Sequence, residues 1–283
     1  TGFENEEFLF TGIANVVRFC TFVISGPKIQ HTAPKFAFYL RRISQLVESD
    51  RFFTLTKTDL RLFNPNNLTS PIFRTSTDYN LTKKIFSFLP VIENENNQTI
   101  PWNTTFLRMF DMSNDSNLFL DKPIDKCFPL YEAKMFWHFD HRFASYELKG
   151  LFVGKGGRGL PDMPLVYHQN PNYTIRPQFW VNSKDVENRV PRYWLHNWFI
   201  SFRDIASAKV ERTMVISIIP RVAVGNKAPL IFFENDYSTQ LLACFFGNLS
   251  SLVFDYTARQ KVGGTSINFF IFKQFPVLHP NSF

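Results

Sequence analysis

Between Ser238 and Pro280 the apolar positions recur at helical steps. Leu242, Phe245, Phe246, Leu249, Val253 and Tyr256 fall three and four residues apart and wind onto one face of an α-helix. Ser238 stands as its N-cap and Gly263-Gly264 as a left-handed stop, which predicts one long buried helix. Arg259 and Lys261 fall in the last turn, where the negative end of the helix dipole favours cations. Beyond the glycines, Thr265 to Phe272 reads as a strand and Phe275-Pro276-Val277 as a closing loop. A greasy rod thus carries a basic tip, a Gly-Gly bend and a short strand, an arrangement suited to contact with a polyanion.

Upstream, Val16 to Ile24 (VVRFCTFVI) and Lys35 to Leu40 (KFAFYL) read as strands around a Gly-Pro-containing loop, with Arg41 to Glu48 helical. A nearly continuous apolar run such as the first is the pattern of a strand buried on both faces of a larger sheet. Residues 1–48 therefore read as the tail of a domain whose body lies elsewhere. Thr56 or Thr58 caps a short helix. Asn80 to Leu89 reads as a helix with Lys83 and Lys84 outward, and Ser183 to Val190 as another. Phe106–Met112, Glu132–Phe139, Trp194–Phe202, Thr213–Ile219 and Leu230–Phe233 read as strands. These elements predict an α+β fold, with mixed sheets against the buried C-terminal helix and a second unit spanning 49–283.

Composition adds a core and a charge. With 34 Phe and 45% hydrophobic residues in 283, the chain can bury a substantial interior. Lys+Arg exceeds Asp+Glu by 31 to 24, a net +7, which tilts the expected partner toward nucleic acid or a membrane surface. Cys20, Cys127 and Cys244 are odd in number and far apart, the usage of an intracellular protein. Asn-X-Ser/Thr triplets, such as those at Asn67 and Asn248, arise by chance in an Asn-rich chain. No apolar run reaches the ~18 residues of a membrane span and no signal peptide opens the chain, so a cytoplasmic protein without a membrane partner is expected. The opening Thr-Gly, without Met and in mid-pattern, suggests a piece of a longer polypeptide.

Several motifs approach known chemistry. Asn64-Pro65-Asn66-Asn67 invites comparison with the Asn/Asp-Pro-Pro-Tyr/Phe motif of amino-group DNA methyltransferases, whose aromatic stacks on a flipped base. The second Pro and the aromatic are absent, so it reads as a turn. No glycine-rich turn after a strand resembles a site for S-adenosylmethionine. Asp125, Glu132 and Lys134 match the Asp…Glu-X-Lys set of metal-dependent nucleases, in which two carboxylates hold a divalent ion and the lysine serves the attacking water. The competing reading of Glu132 and Lys134 is an ion pair on alternate strand positions. His138, Asp140 and His141 split between two strand faces without further ligands, which favours packing or a pair with Arg142 over zinc. Gly154 to Gly159 (GKGGRG) lacks phosphate-loop spacing; its Lys155 and Arg158 either touch a DNA backbone or are solvated.

Two sets of blocks are familiar together. One comprises Phe63-Asn64-Pro65-Asn66 through Pro71-Ile72-Phe73-Arg74, then Pro129-Leu130-Tyr131-Glu132-Ala133-Lys134-Met135 and Phe139-Asp140-His141-Arg142-Phe143-Ala144-Ser145-Tyr146. The other comprises Phe202-Arg203-Asp204-Ile205, Glu211-Arg212-Thr213, Ile219-Pro220-Arg221-Val222-Ala223-Val224-Gly225, and Asp255 through Thr265. In this order, across nearly the whole chain, they resemble the C-terminal part of large bacterial adenine-specific DNA methyltransferases, the type IIG restriction–modification enzymes and related phage-defence methylases. The last helix, the Gly-Gly-Thr stretch and Lys273-Gln274-Phe275-Pro276-Val277 also resemble target recognition domains of type I specificity subunits.

That resemblance implies a division of labour. An upstream domain would bind S-adenosylmethionine and methylate adenine N6, and this chain would recognise double-stranded DNA without catalysing anything itself. Residues 1–48 would end the catalytic sheet and 49–283 would form the recognition domain. Phosphate contacts hold register while side chains in the major groove select bases. The expected phosphate contacts are Arg259, Lys261 and Lys273 with the amides of Gly263 and Gly264, plus Lys155 and Arg158. Arg74, Arg142, Arg203 and Arg212 are either further backbone contacts or partners of Asp78, Asp140, Asp204 and Glu211.

Overall fold

In the computed structural model, which describes residues 1–29, 34–150 and 159–283, the chain opens with two small antiparallel pairs. β1 (Gly2–Glu4) pairs with β2 (Arg18–Cys20), and β3 (Lys35–Phe36) with β4 (Phe53–Thr54). The second pairing crosses the boundary that the sequence suggests at residue 48. β2 is all that forms of the run from Val16 to Ile24. Within β2 Phe19 packs against Phe3 and Phe10, but Phe22 and Val23, expected to be covered on both faces, are 79% and 94% exposed. Instead of a helix from Arg41 there is a 3-10 turn, Ile43–Val47.

Two capped helices follow. Thr56 Oγ1 accepts from Asp59 N while Asp59 Oδ2 accepts from Thr56 N, a reciprocal box that starts α1 (Lys57–Phe63). Thr75 and Asp78 start α2 (Ser76–Phe88) in the same way. Lys83 Nζ of α2 meets Asp59 Oδ1 of α1 at 2.7 Å, and Phe53, Phe63, Phe73 and Phe86 pack into a small aromatic core beside them.

The main core lies beyond residue 91. β5 (Thr104–Leu107), β6 (Cys127–Tyr131), α3 (Leu165–His168), β7 (Trp180–Asn182) and α4 (Ser183–Arg189) lead into β8 (Trp198–Phe202), β9 (Ile216–Pro220), β10 (Ala223–Val224) and β11 (Leu230–Phe233). One antiparallel sheet has the order β5-β11-β8-β9. A second, β10-β6-β7, is mixed, with β10 parallel to β6. β11 is buried at every position, as a continuous apolar run between two neighbours should be, whereas edge strand β9 exposes Ile218 and Pro220. The fold is α+β. Glu132–Phe139 is not a strand: β6 ends at Tyr131, and Ala133–Met135 is a 3-10 turn.

The C-terminal rod is two helices, α5 (Thr239–Ser250) and α6 (Leu252–Lys261), bent by 55°. Ser238 caps the first, as its position suggests. Ser251 takes an extended conformation and caps the second by accepting from Phe254 N at 3.1 Å. The bend rotates the buried face: Leu242, Phe245, Phe246 and Leu249 are interior on α5, but Phe254 and Ala258 replace Val253 on α6. Thr265 to Phe272 is likewise not a strand. It contains α7 (Phe269–Phe272), whose Phe272 stacks on Phe202 with centroids 4.4 Å apart. The tail then closes the molecule, with Trp102 Nε1 donating to Leu278 O at 2.7 Å and Val277 N to Pro90 O at 2.9 Å. Among the described residues no single helix is long and apolar enough to cross a membrane.

Candidate nucleic-acid interface

The basic tip predicted at the end of the rod is turned inward. Lys261 keeps some surface as a residue, but its Nζ donates to Phe63 O and Gln274 O and lies 4.6 Å from the Phe86 ring centroid. Burial pushes its pKa well below the ordinary lysine value, so it is a strut and not a phosphate contact. Arg259 pairs with Asp255 at 3.0 Å and donates to Ala208 O and Glu211 O. Lys273 is held between Glu93 and Glu95 at 2.9 and 3.0 Å. The hydrogen bonds that finish the tertiary fold thus occupy three of the cations that their sequence positions had suggested were free. Lys155 and Arg158 lie outside the described residues.

The glycine bend does reach a cleft. Gly263, Gly264 and Thr265 form one side of a cavity of about 620 Å³ whose other walls include Arg18, Ser207 and Lys209. Neither glycine adopts a left-handed φ, so they are not the helix stop that the sequence suggests. Gly263 is instead closely packed, since a Cβ there would lie 3.0 Å from Ile72 Cδ1, at the tip of a side chain. Its carbonyl accepts from Arg18 Nη1, and its amide is bonded to Lys261 O at 3.1 Å, which leaves Gly264 as the exposed member of the bend.

The charge of this cleft is organised by a buried carboxylate. Glu4 is 2% exposed and faces Arg18 at 3.1 Å, Arg41 at 3.3 Å and Lys209 at 3.0 Å. Glu6 joins Arg41 at 2.7 Å and Lys209, whose hydrogen bond holds the Glu6 carboxyl below its usual range. Three cations thus meet two carboxylates, and Arg18 and Lys209 remain exposed. With the hydroxyls of Ser207 and Thr265, and with Glu6 also on the wall, these groups form a cleft that presents two exposed cations to an incoming anion. Sequence reasoning passed over Arg18, the one charge inside an apolar run, which was the available signal. Lys209 carries no local signal at all.

The nuclease set does not assemble. Asp125 lies before the start of β6 and Glu132 after its end, and five extended residues at about 3.3 Å each hold them too far apart to share an ion. Glu132 instead pairs with Lys134 at 3.1 Å and accepts from the Tyr146 hydroxyl, while Asp125 is exposed. Among the described residues no group of three His, Cys, Asp or Glu side chains could hold a metal. Asp140 pairs with His168, at 3.1 Å, and Arg142 serves the carbonyls of His168, Asn170 and Tyr173.

Arg203 and Arg74 also find partners other than the aspartates anticipated for them. Arg203 donates to Phe136 O and stacks on Trp137 at 4.5 Å, and burial pushes its pKa down to about 10. Asp204 faces Arg108 and Lys227, each at 3.4 Å. Arg74 lies over the Tyr39 ring at 4.6 Å, while Asp78 accepts from Thr75 and Tyr256.

Asn64-Pro65-Asn66-Asn67 is a structural knot: Asn64 Nδ2 donates to Thr69 O at 2.7 Å, and Asn66 N to Gln274 Oε1 at 3.0 Å. Comparison of the sequence with known protein families and with curated proteins finds no match.

Proposed function

We propose that this chain is a DNA target-recognition region serving an adenine-N6 DNA methyltransferase of a cytoplasmic restriction–modification system. An upstream domain of the same polypeptide would hold S-adenosylmethionine and carry out methyl transfer. The observation that carries this reading is the cleft in which Arg18 and Lys209 face the Gly263-Gly264-Thr265 bend. A phosphate in the cleft would meet two cations, the Ser207 and Thr265 hydroxyls and the exposed Gly264 backbone, with Glu4 fixing the cations in place. The net charge of +7 supports the same partner, and the ordered blocks that resemble the methyltransferases supply the reaction it would serve. The bare apolar run around Phe22 and Val23 is a fitting seat for the upstream domain.

Titration of the 283-residue chain with a DNA duplex at several salt concentrations tests the reading. Counterion release makes the logarithm of affinity fall linearly with the logarithm of salt, by about 0.9 for each phosphate neutralised. Weak binding with such a slope is expected. A chain that ignores duplex DNA at low salt, or binds it with no salt dependence, has another function.

A further inference from the structure

A second cavity of about 320 Å³ shares Arg18 and Gly263 with the cleft, and its character is different. Phe3, Phe19, Phe38 and Tyr39 line it, together with Gly2, Gly263 and Glu4, whose carboxylate is paired with Arg18. Its size is at the small end of the roughly 300–1,000 Å³ typical of small-molecule sites. We infer that this pocket takes a single nucleobase, with the attached phosphate held at its Arg18 rim, as the DNA-binding reading would allow.

Tyr39 is the main reason. Only 8% of it is exposed, and its hydroxyl is enclosed without a hydrogen-bond partner. A buried hydroxyl left unpaired is rare in folded proteins and calls for a partner from outside the chain. The residue also sits at φ 59, in the left-handed region that a bulky side chain normally avoids, a form of backbone strain that concentrates at ligand sites.

The surroundings match a flat ring. Phe3 and Phe19, both on the pocket wall, stack with centroids 5.2 Å apart and planes 6° from parallel. Two of the lining positions have no side chain: a Cβ on Gly2 would lie 3.0 Å from Phe38 Cδ1, and one on Gly263 3.0 Å from Ile72 Cδ1. Arg18 and Arg74 both lie over the Tyr39 ring, at 5.5 and 4.6 Å. Among the described residues Arg74 forms no salt bridge. Aromatic stacking with a cationic rim is the combination that captures an unstacked base and its phosphate, and the hydroxyl of Tyr39 supplies one polar contact to the base edge.

The test is calorimetric titration of the chain with 2′-deoxyadenosine 5′-monophosphate, beside 2-deoxyribose 5-phosphate as a probe that keeps the phosphate and lacks the base. The nucleotide should bind and the sugar phosphate should bind much less. Tyr39→Phe keeps the ring and should weaken the nucleotide about 3- to 10-fold, the effect of one hydrogen bond. Cys20→Trp, at an exposed position on the pocket wall, should block it while leaving Arg18 and Lys209 in place. Duplex affinity and its salt slope should survive both changes. Equal affinity for the two probes, no nucleotide binding at millimolar concentration, or indifference to both substitutions overturns the pocket. Those results leave the duplex reading intact, whereas nucleotide binding without any duplex binding would sustain the pocket and sink the wider reading.

Discussion

Lys261 Nζ lies 2.5 Å from the carbonyl oxygen of Phe63, so an ammonium at the end of α6 fastens the end of α1. It also holds Gln274 O, and its burial lowers its pKa well below the usual 10.5. Between that depressed value and 10.5 the unfolded chain binds the extra proton and the folded chain does not. Stability therefore rises with pH across this window, and the penalty is full below it. Urea midpoints measured between about pH 7 and 10 should climb for the wild type and climb less for Lys261→Met. Parallel curves for the two proteins would mean that the ammonium is not buried.

Asp255 anchors the segment that carries Lys209. Its Oδ1 accepts from Met214 N at 2.8 Å and its Oδ2 from Arg259 Nε at 3.0 Å, and Arg259 continues to Ala208 O and Glu211 O. Asp255→Ala would strand both a buried amide and a partly buried guanidinium, at a cost of about 3–5 kcal/mol. Asp255→Asn keeps an acceptor for Met214 N and should cost less. Equilibrium urea unfolding measures both, and a loss of less than ~1 kcal/mol for the alanine variant would show that this anchor is dispensable.

What could be read beforehand was mostly local chemistry. The Thr56 box and the Ser238 cap are decided within four residues, and Leu230–Phe233 is a strand over the range its apolar run suggests. The failures share a cause. The apolar period runs on through Ser251, so the bend could be placed only by knowing that this hydroxyl turns back to cap Phe254. A short run of Phe and Ile such as 269–272 fits helix and strand alike, and contact with Phe202 belongs to the tertiary fold. The candidate site was misplaced for the same reason. Lys261 and Lys273 look solvated in sequence, yet carbonyls and carboxylates from distant segments enclose them, and the exposed cations come from Arg18 and from the loop at Lys209.

Asp78 serves two contacts at once, capping α2 with Thr75 and accepting from the Tyr256 hydroxyl of α6 at 2.8 Å. Thr75→Ala should cost about 1 kcal/mol as a lost cap, and Tyr256→Phe about 1–2 kcal/mol as a lost bond to a carboxylate. Because both act through one side chain, the double variant should depart from additivity by roughly 0.5 kcal/mol or more. A thermodynamic cycle from urea unfolding gives that coupling, and strict additivity would mean that the two contacts are independent.

The cleft and the rod tip make opposite predictions for DNA. Arg18 and Lys209 share two carboxylates with Arg41, whereas Lys273 alone faces Glu93 and Glu95. Three cations around two acids leave one positive charge over, whereas Lys273 between two acids leaves a negative one and has little attraction for phosphate. Arg18→Ala and Lys209→Ala should each lower duplex affinity and reduce the salt slope by about 1, with folding retained because Glu4 keeps two cationic partners. Lys273→Ala should leave both affinity and slope where they were. If Lys273→Ala alone flattens the salt dependence, the DNA path follows the end of the rod and not the cleft at the glycine bend.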